Sequence, residues 1–180
     1  MACIIRGKTA KTRLMMKKSD MDNPVLNAIL SRTSIRSYGK EPPTDEQIDM
    51  MLKAAMAAPS ACDTRPWSFV VCRETKWFNA PCAIVVCGKR TVVPAFELDR
   101  VWVQDCAAAT ENILLAAHSM GLGACWRVCW PSPTVMATVK AQIGLPFGVI
   151  PFSYVTIGMP AENPEPKDKY DSSLIHYEKW

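Results

Sequence analysis

"WSFVVCRETKWFNAPCAIVVCG" (residues 67–88) contains two apolar runs, 67–73 and 82–88, each of a length and composition that reads as a buried strand. The segment between them, "ETKWFNAP" (74–81), is too short for a parallel crossover, which takes about a dozen residues or more. If the two strands are neighbours they run antiparallel. The predicted class is therefore α+β, with a mixed, mainly antiparallel sheet flanked by helices. A doubly wound dinucleotide fold is disfavoured. The glycine-containing string "GLGACW" (121–126) puts Trp126 where that fingerprint needs Gly or Ala, and it follows a helical pattern instead of opening one.

Helical signals lie on both sides. In "DNPVLNAILSR" Asn23 is placed as an N-cap and Pro24 at the first helical position, with Val25, Leu26, Ile29 and Leu30 on one face. In "PPTDEQIDMMLKAAMAA" Thr44 and Gln47 have capping-box spacing, and Ile48, Met51, Leu52 and Ala55 form an apolar stripe. The longest pattern, "VWVQDCAAATENILLAAHSMGLG", steps through Trp102, Cys106, Ala109, Ile113, Ala116 and Met120 and stops at Gly121, which predicts a central helix. "GACWRVCW" predicts a strand, "SPTVMATVKAQIG" a capped helix and "FSYVTIGMP" a last strand. Beyond Ala161 there are too few apolar residues to pack as an element. Between the second helix and the first strand, "APSACDTRPWSF" (58–69) is a stiff loop, with Pro59 stopping the helix and Pro66 predicted to hold Arg65 extended.

With 180 residues and 49% hydrophobic content, the chain predicts one globular domain over 21–180. No apolar run approaches the ~20 residues of a membrane span, so a soluble protein without a membrane partner is expected. Lys and Arg number 21 against 17 Asp and Glu, but residues 1–20 hold Arg6, Lys8, Lys11, Arg13, Lys17 and Lys18 against Asp20 alone. The excess is a basic arm, expected to be disordered, on a nearly neutral body. It lacks the apolar core of a signal peptide, and its dispersed charges without aromatic residues argue against a nucleic-acid partner. Of the eight cysteines, Cys72, Cys82, Cys87, Cys106, Cys125 and Cys129 sit in apolar runs and read as buried free thiols of a cytoplasmic protein. Without a C-x-x-C pair, and with only two histidines, a metal site is not expected.

"SRTSIRSYGKEP" places Arg32, Thr33, Ser34 and Arg36 close together at the end of a helical segment. Guanidiniums and hydroxyls so arranged can surround a phosphate, although such clusters are also common on solvated surfaces. Four stretches, "SRTSIRSY", "APSACDTRPWSFVV", "DCAAATENILLAAHSMGLGACW" and "IGMPAENPEPKDKYDSSLIHYEKW", together resemble the FMN-dependent nitroreductase family, from about residue 23 to 180. The resemblance implies a homodimer with FMN at the subunit interface, reduced by NAD(P)H and reoxidised in ping-pong fashion by a small oxidised acceptor such as a nitro compound or quinone. It implies that Arg32, Thr33, Ser34 and Arg36 form the first FMN-binding stretch, with Lys179 helping to hold the phosphate. It further implies that Pro59, Ser60, Ala61 and Asp63 form the loop laid on the flavin by the second subunit, and that Val128 and Cys129 offer backbone groups near its reactive edge. No catalytic side chain beyond the flavin is implied, except Arg36 as an electrostatic stabiliser of negative charge near N1 and the C2 carbonyl.

The chain departs from that pattern at Asp63 and Arg65, where relatives carry Asn and Gln, and in a shortened 73–81 segment. A carboxylate beside a reduced flavin is unfavourable unless Arg65 neutralises it. These departures keep open a flavin-binding protein with weak or no turnover, and the basic arm 1–20 separately keeps open an interaction module working through it.

Overall fold

The computed structural model describes residues 23–73, 76–90 and 101–180; the basic arm 1–20 lies outside the described residues. The elements are α1 (Pro24–Ser31), α2 (Asp45–Met56), β1 (Trp67–Cys72), β2 (Cys82–Gly88), α3 (Val101–Ser119), β3 (Gly123–Val128), α4 (Pro133–Ile143) and β4 (Ile150–Gly158). The four strands form one sheet in the order β1-β2-β4-β3, with every pairing antiparallel. β1 and β2 pair from Trp67↔Gly88 to Cys72↔Ala83, as the short connection between them requires.

β2 is buried at every position, because helices cover both faces of the sheet. Cys82, Ile84 and Val86 pack with Ile48, Met51 and Ala55 of α2 and with Trp102, Cys106, Ala109 and Ile113 of α3. Ala83, Val85 and Cys87 point the other way, into a smaller cluster with Val139 of α4, Cys129 and Val149. The alternation of side chains along a strand thus feeds two cores. That is why β2 reads as a continuous apolar run and not as an alternating one.

The helix ends follow local chemistry. Asn23 accepts from the Val25 and Leu26 N–H groups, Thr44 and Gln47 make the reciprocal capping box, and Ser132 accepts from Val135 N–H. α4 ends at Gly144 with φ 63, a left-handed C-cap open to glycine. β4 starts at Ile150, earlier than its sequence pattern suggests. The register shifts between Val86 and Cys87, where Cys87 faces Pro151, a residue with no N–H to give the ladder. Phe152, left over at this bulge, turns its carbonyl to accept from the Cys129 and Trp130 N–H groups (3.1 and 3.0 Å).

α3 crosses the sheet at close range. A Cβ on Gly88 would lie 2.4 Å from Trp102 Cε3 and 3.1 Å from Cys106 Sγ, so the end of β2 can meet α3 only as glycine. Thr110, fully buried in α3, donates to the Cys106 carbonyl (2.7 Å) and accepts from Ser153 Oγ of β4 (3.0 Å).

Gly88→Ala should cost about 1–3 kcal/mol from overpacking, lowering Tm by roughly 2–4 °C per kcal/mol in a domain of this size; thermal unfolding checks this. Cys62, Cys82, Cys87, Cys106, Cys125 and Cys129 carry free thiols, and of the described cysteines Cys62 alone is exposed. Burial pushes the Cys87, Cys106 and Cys129 thiols up to about 12. In thiol titration of the native protein the exposed Cys62 should therefore react quickly, and the buried Cys82, Cys87, Cys106, Cys125 and Cys129 only after unfolding.

Candidate functional site

α1 runs out at Arg32, whose N–H donates to the Ala28 carbonyl (3.1 Å), and the chain then leaves the helix in an extended conformation (φ −59, ψ 128). Gly123 lets this segment lie against β3: a Cβ there would meet Ile35 Cγ2 at 2.6 Å, and Ile35 N–H donates to the Ala124 carbonyl (3.0 Å). The Arg32 side chain turns inward and is 18% exposed, with Nε 3.6 Å from Glu111 Oε1 of α3. Its Nη1 is buried and has no hydrogen-bond partner among the described residues. A cationic N–H buried without an acceptor is costly, and this nitrogen leaves one donor of the guanidinium unsatisfied.

Arg32 lines a cavity of about 710 Å³, together with Thr33, Ile35, His118, Gly123 and Glu162. Ser31 Oγ donates to the Asn27 carbonyl (2.6 Å), so His118 Nε2 must carry the proton it shares with Ser31 Oγ (2.8 Å). Burial, and then the charge of Arg32, hold the imidazole below its usual range. Ser34 and Arg36 are not among the cavity-lining residues. Arg36 is exposed, with Nη1 3.4 Å from the Ser34 carbonyl.

The end of β4 clamps this segment from the other side. Gly39 N–H donates to the Met159 carbonyl (2.8 Å) and Ala161 N–H to the Ser37 carbonyl (3.0 Å). Glu162 Oε1 accepts from the Arg36 and Ser37 N–H groups, and these bonds hold its carboxyl below the usual range. Tyr38 Oη lies between the Ile35 carbonyl and Thr156, and burial pushes its pKa up to about 12.

The loop after α2 is tighter than its sequence suggests. Cys62, Asp63 and Arg65 have φ of 51, 54 and 45, left-handed values that cost a non-glycine residue roughly 1–2 kcal/mol. Arg65 is therefore not extended, contrary to the reading from Pro66. Its N–H donates to Ser60 Oγ (3.1 Å), and its guanidinium folds back on Asp63 with Nε and Nη2 at 2.7 and 2.8 Å from the two carboxylate oxygens. The pair keeps the exposed Asp63 carboxyl below its usual range. The loop is tied to α3 by the Ala61 N–H, which donates to Asp105 Oδ1 (3.0 Å), while Asn112 Nδ2 donates to the Ala54 carbonyl near the end of α2 (2.8 Å).

The sequence-predicted residues thus fall into separate groups within the chain. At 1.5 Å per helical residue, Glu111 and His118 lie about 9 and 20 Å along α3 from Asp105, so the loop 59–63 and the Arg32 cavity sit at different levels of that helix. Val128 is 61% exposed at the end of β3. The Cys129 N–H donates to the Phe152 carbonyl and its own carbonyl accepts from Ser132 N–H (2.9 Å), so both its backbone groups are engaged within the fold. Lys179 lies in the exposed C-terminal segment, with its N–H on the Tyr177 carbonyl (2.7 Å).

Residues 29–76 and 72–159 match the model of the nitroreductase family. This chain belongs to that family. A family member from Methanothermobacter thermautotrophicus, named "Putative NADH dehydrogenase/NAD(P)H nitroreductase", is 43% identical over 91% of each chain. A crystal structure carrying the same name, from Bacteroides thetaiotaomicron, is 38% identical and superposes with a TM-score of 0.80, covering 88% of this chain and 99% of its own. An FMN-dependent nitroreductase from Clostridium difficile R20291 gives a TM-score of 0.75 at 26% identity, over 85% and 98% of the two chains.

At this candidate site of a nitroreductase-family chain, sequence reasoning missed Asp105, Glu111, His118 and Glu162. One of them left a signal: Asp105 falls on the apolar stripe of α3, between Trp102 and Ala109, where a carboxylate has no packing reason to be. The others are surface-like residues whose roles depend on what folds against them. Because the Arg32 Nη1 atom is buried without a partner, Arg32→Leu should leave the Tm of the ligand-free protein unchanged or raise it, measured by thermal unfolding after exhaustive dialysis.

Proposed function

We propose that this chain is an FMN-dependent oxidoreductase that uses NAD(P)H to reduce an oxidised organic acceptor, a nitro compound, quinone or similar, and that it works as a homodimer in the cytoplasm. The observation that carries this reading is the buried, unpaired Nη1 of Arg32 in a cavity of about 710 Å³. A dianionic phosphate would satisfy that nitrogen, so the residues present fit the cofactor.

Arg32 and Thr33, which line the cavity, would hold the phosphate, with Lys179 as a more mobile point charge and Ser34 outside the lining. FMN held there would supply the two-electron redox chemistry that links NAD(P)H to the acceptor. Arg36, exposed and positioned by Glu162 through its backbone, would offset negative charge near N1 and the C2 carbonyl. Pro59, Ser60, Ala61 and Asp63 would wall the ring system. Val128 would present backbone near its reactive edge, with Cys129 engaged behind it.

Two observations support a dimer. The loop and the Arg32 cavity are separated along α3 in one protomer, so a second copy would have to bring them together. Val25, Leu26, Ile29 and Leu30 of α1, and Leu174, Tyr177 and Trp180 of the C-terminal segment, are exposed apolar side chains that such a copy would cover. The Asp63–Arg65 pair favours turnover over mere flavin binding, because it removes the net charge that a lone carboxylate would present to a reduced flavin. The free thiols of Cys62, Cys82, Cys87, Cys106, Cys125 and Cys129 support the cytoplasmic assignment.

FMN titration into apo-protein tests the assignment. A charge-assisted hydrogen bond is worth roughly 1.5–3 kcal/mol and 1.4 kcal/mol is about one decade, so Arg32→Ala should weaken binding at least ~10-fold. Lys179→Ala should weaken it by a smaller factor, and both variants should keep the dimer mass on size exclusion. Addition of NAD(P)H under nitrogen should bleach the flavin of the wild type. Wild-type affinity in Arg32→Ala would overturn the phosphate assignment, and an unbleached flavin would overturn the enzymatic one.

A further inference from the structure

Asp105 has no role in the reading above, yet it is a carboxylate only 5% exposed, set in the buried stripe of α3 beside Trp102, Cys106 and Ala109. Burial holds its carboxyl above the usual carboxylate range, with the Ala61 N–H acting the other way. Among the described residues that N–H is its only hydrogen-bond donor. A side chain there for packing alone would be apolar, since a desolvated carboxylate with one partner does not repay its burial.

What it holds is unusual backbone. Across 59–65 three non-glycine residues have positive φ, and the bonds that shape the loop are mostly internal to it. Asp63 N–H donates to the Ser60 carbonyl (3.1 Å), Thr64 N–H to the Ala61 carbonyl (3.1 Å) and Arg65 N–H to Ser60 Oγ (3.1 Å), while Asp63 and Arg65 pair with each other. Such bonds make the loop a unit but do not orient it. Among the described residues, the Ala61–Asp105 bond is the single hydrogen bond from 59–65 to another element.

We propose that Asp105 is a positioning residue for the cofactor: by accepting the Ala61 N–H it orients the 59–65 loop against the flavin. The inference rests on the FMN reading for what the loop faces, and on this structure alone for what holds the loop. Asp105 touches no cofactor atom itself; it acts through Ala61. It also predicts a separation that a merely structural residue would not show. Replacing it should improve or spare stability while impairing FMN binding, because a strained, fixed loop and a desolvated carboxylate both disfavour the ligand-free fold.

The test compares Asp105→Leu and Asp105→Asn with the wild-type full chain, by FMN titration, by Tm without FMN, and by hydrogen exchange of the 58–66 segment without FMN. In Asp105→Leu, exchange of the segment should speed up at least ~10-fold and FMN should bind at least ~10-fold more weakly, with Tm unchanged or raised. In Asp105→Asn, whose amide oxygen can accept the same N–H, both properties should return to within ~3-fold of wild type. Unchanged exchange in Asp105→Leu would show that Asp105 does not hold the loop. Faster exchange with wild-type FMN affinity would show that the loop's orientation does not matter to the cofactor. A fall in Tm that matches the loss of affinity would make the role merely structural. Each of these overturns the inference, whereas failure of the wild type to bind FMN would instead overturn the functional reading on which it rests.

Discussion

A buried helix can carry polar side chains only where each finds a partner, and α3 is buried along most of its length between α2 and the sheet. Its polar residues show where the rest of the molecule must go. Asp105 reaches the loop after α2, Thr110 reaches Ser153 of β4, Glu111 meets Arg32, Asn112 takes the Ala54 carbonyl, and His118 meets Ser31. The packing of Trp102 onto Gly88 sets the height of this helix over β2. With that contact made, the positions of the loop, of α2 and of the arginine segment follow from side chains of one helix.

The charges of the site are arranged around the same skeleton. Arg32 is drawn under cover but only loosely paired, at 3.6 Å from Glu111, which leaves most of its hydrogen-bonding capacity for an anion. Arg36 stays outside while Glu162 takes its backbone N–H and not its guanidinium, so its position is defined and its charge remains available. Asp63, the residue whose charge opposes the proposed chemistry, is closed onto Arg65 in a bidentate pair. Two cations are kept available and one anion is neutralised, an arrangement suited to a cofactor that bears a phosphate at one end and gains negative charge at the other.

Much of the fold was legible from local signals because those signals are local physics. The Asn23, Thr44 and Ser132 caps satisfy helix N–H groups within a few residues, and the 74–81 connection restricts strand direction by its length alone. The site was legible only in part. "SRTSIRSY" shows which residues could meet an anion, and the resemblance carried by four stretches pointed to the family that the comparisons then established. Nothing in those letters shows that Arg32 turns inward while Arg36 stays out, since that depends on Ile35 and Gly123 meeting across β3.

The sequence by itself determined the element types, the antiparallel sense that β1 and β2 take once paired, the burial of β2 though not the partial exposure of β1 at the sheet edge, and the residue types available for phosphate recognition. Each of these depends on periodicity, chain length or side-chain chemistry within a short window. Tertiary structure decided the left-handed backbone at Cys62, Asp63 and Arg65, the reversal of the expectation for Arg65, the commitment of both Cys129 backbone groups, and the use of Asp105, Glu111, His118 and Glu162. These depend on which distant atoms arrive to donate or accept. A backbone amide such as that of Ala61 has the same sequence signature whether its partner is water or a buried carboxylate on another helix.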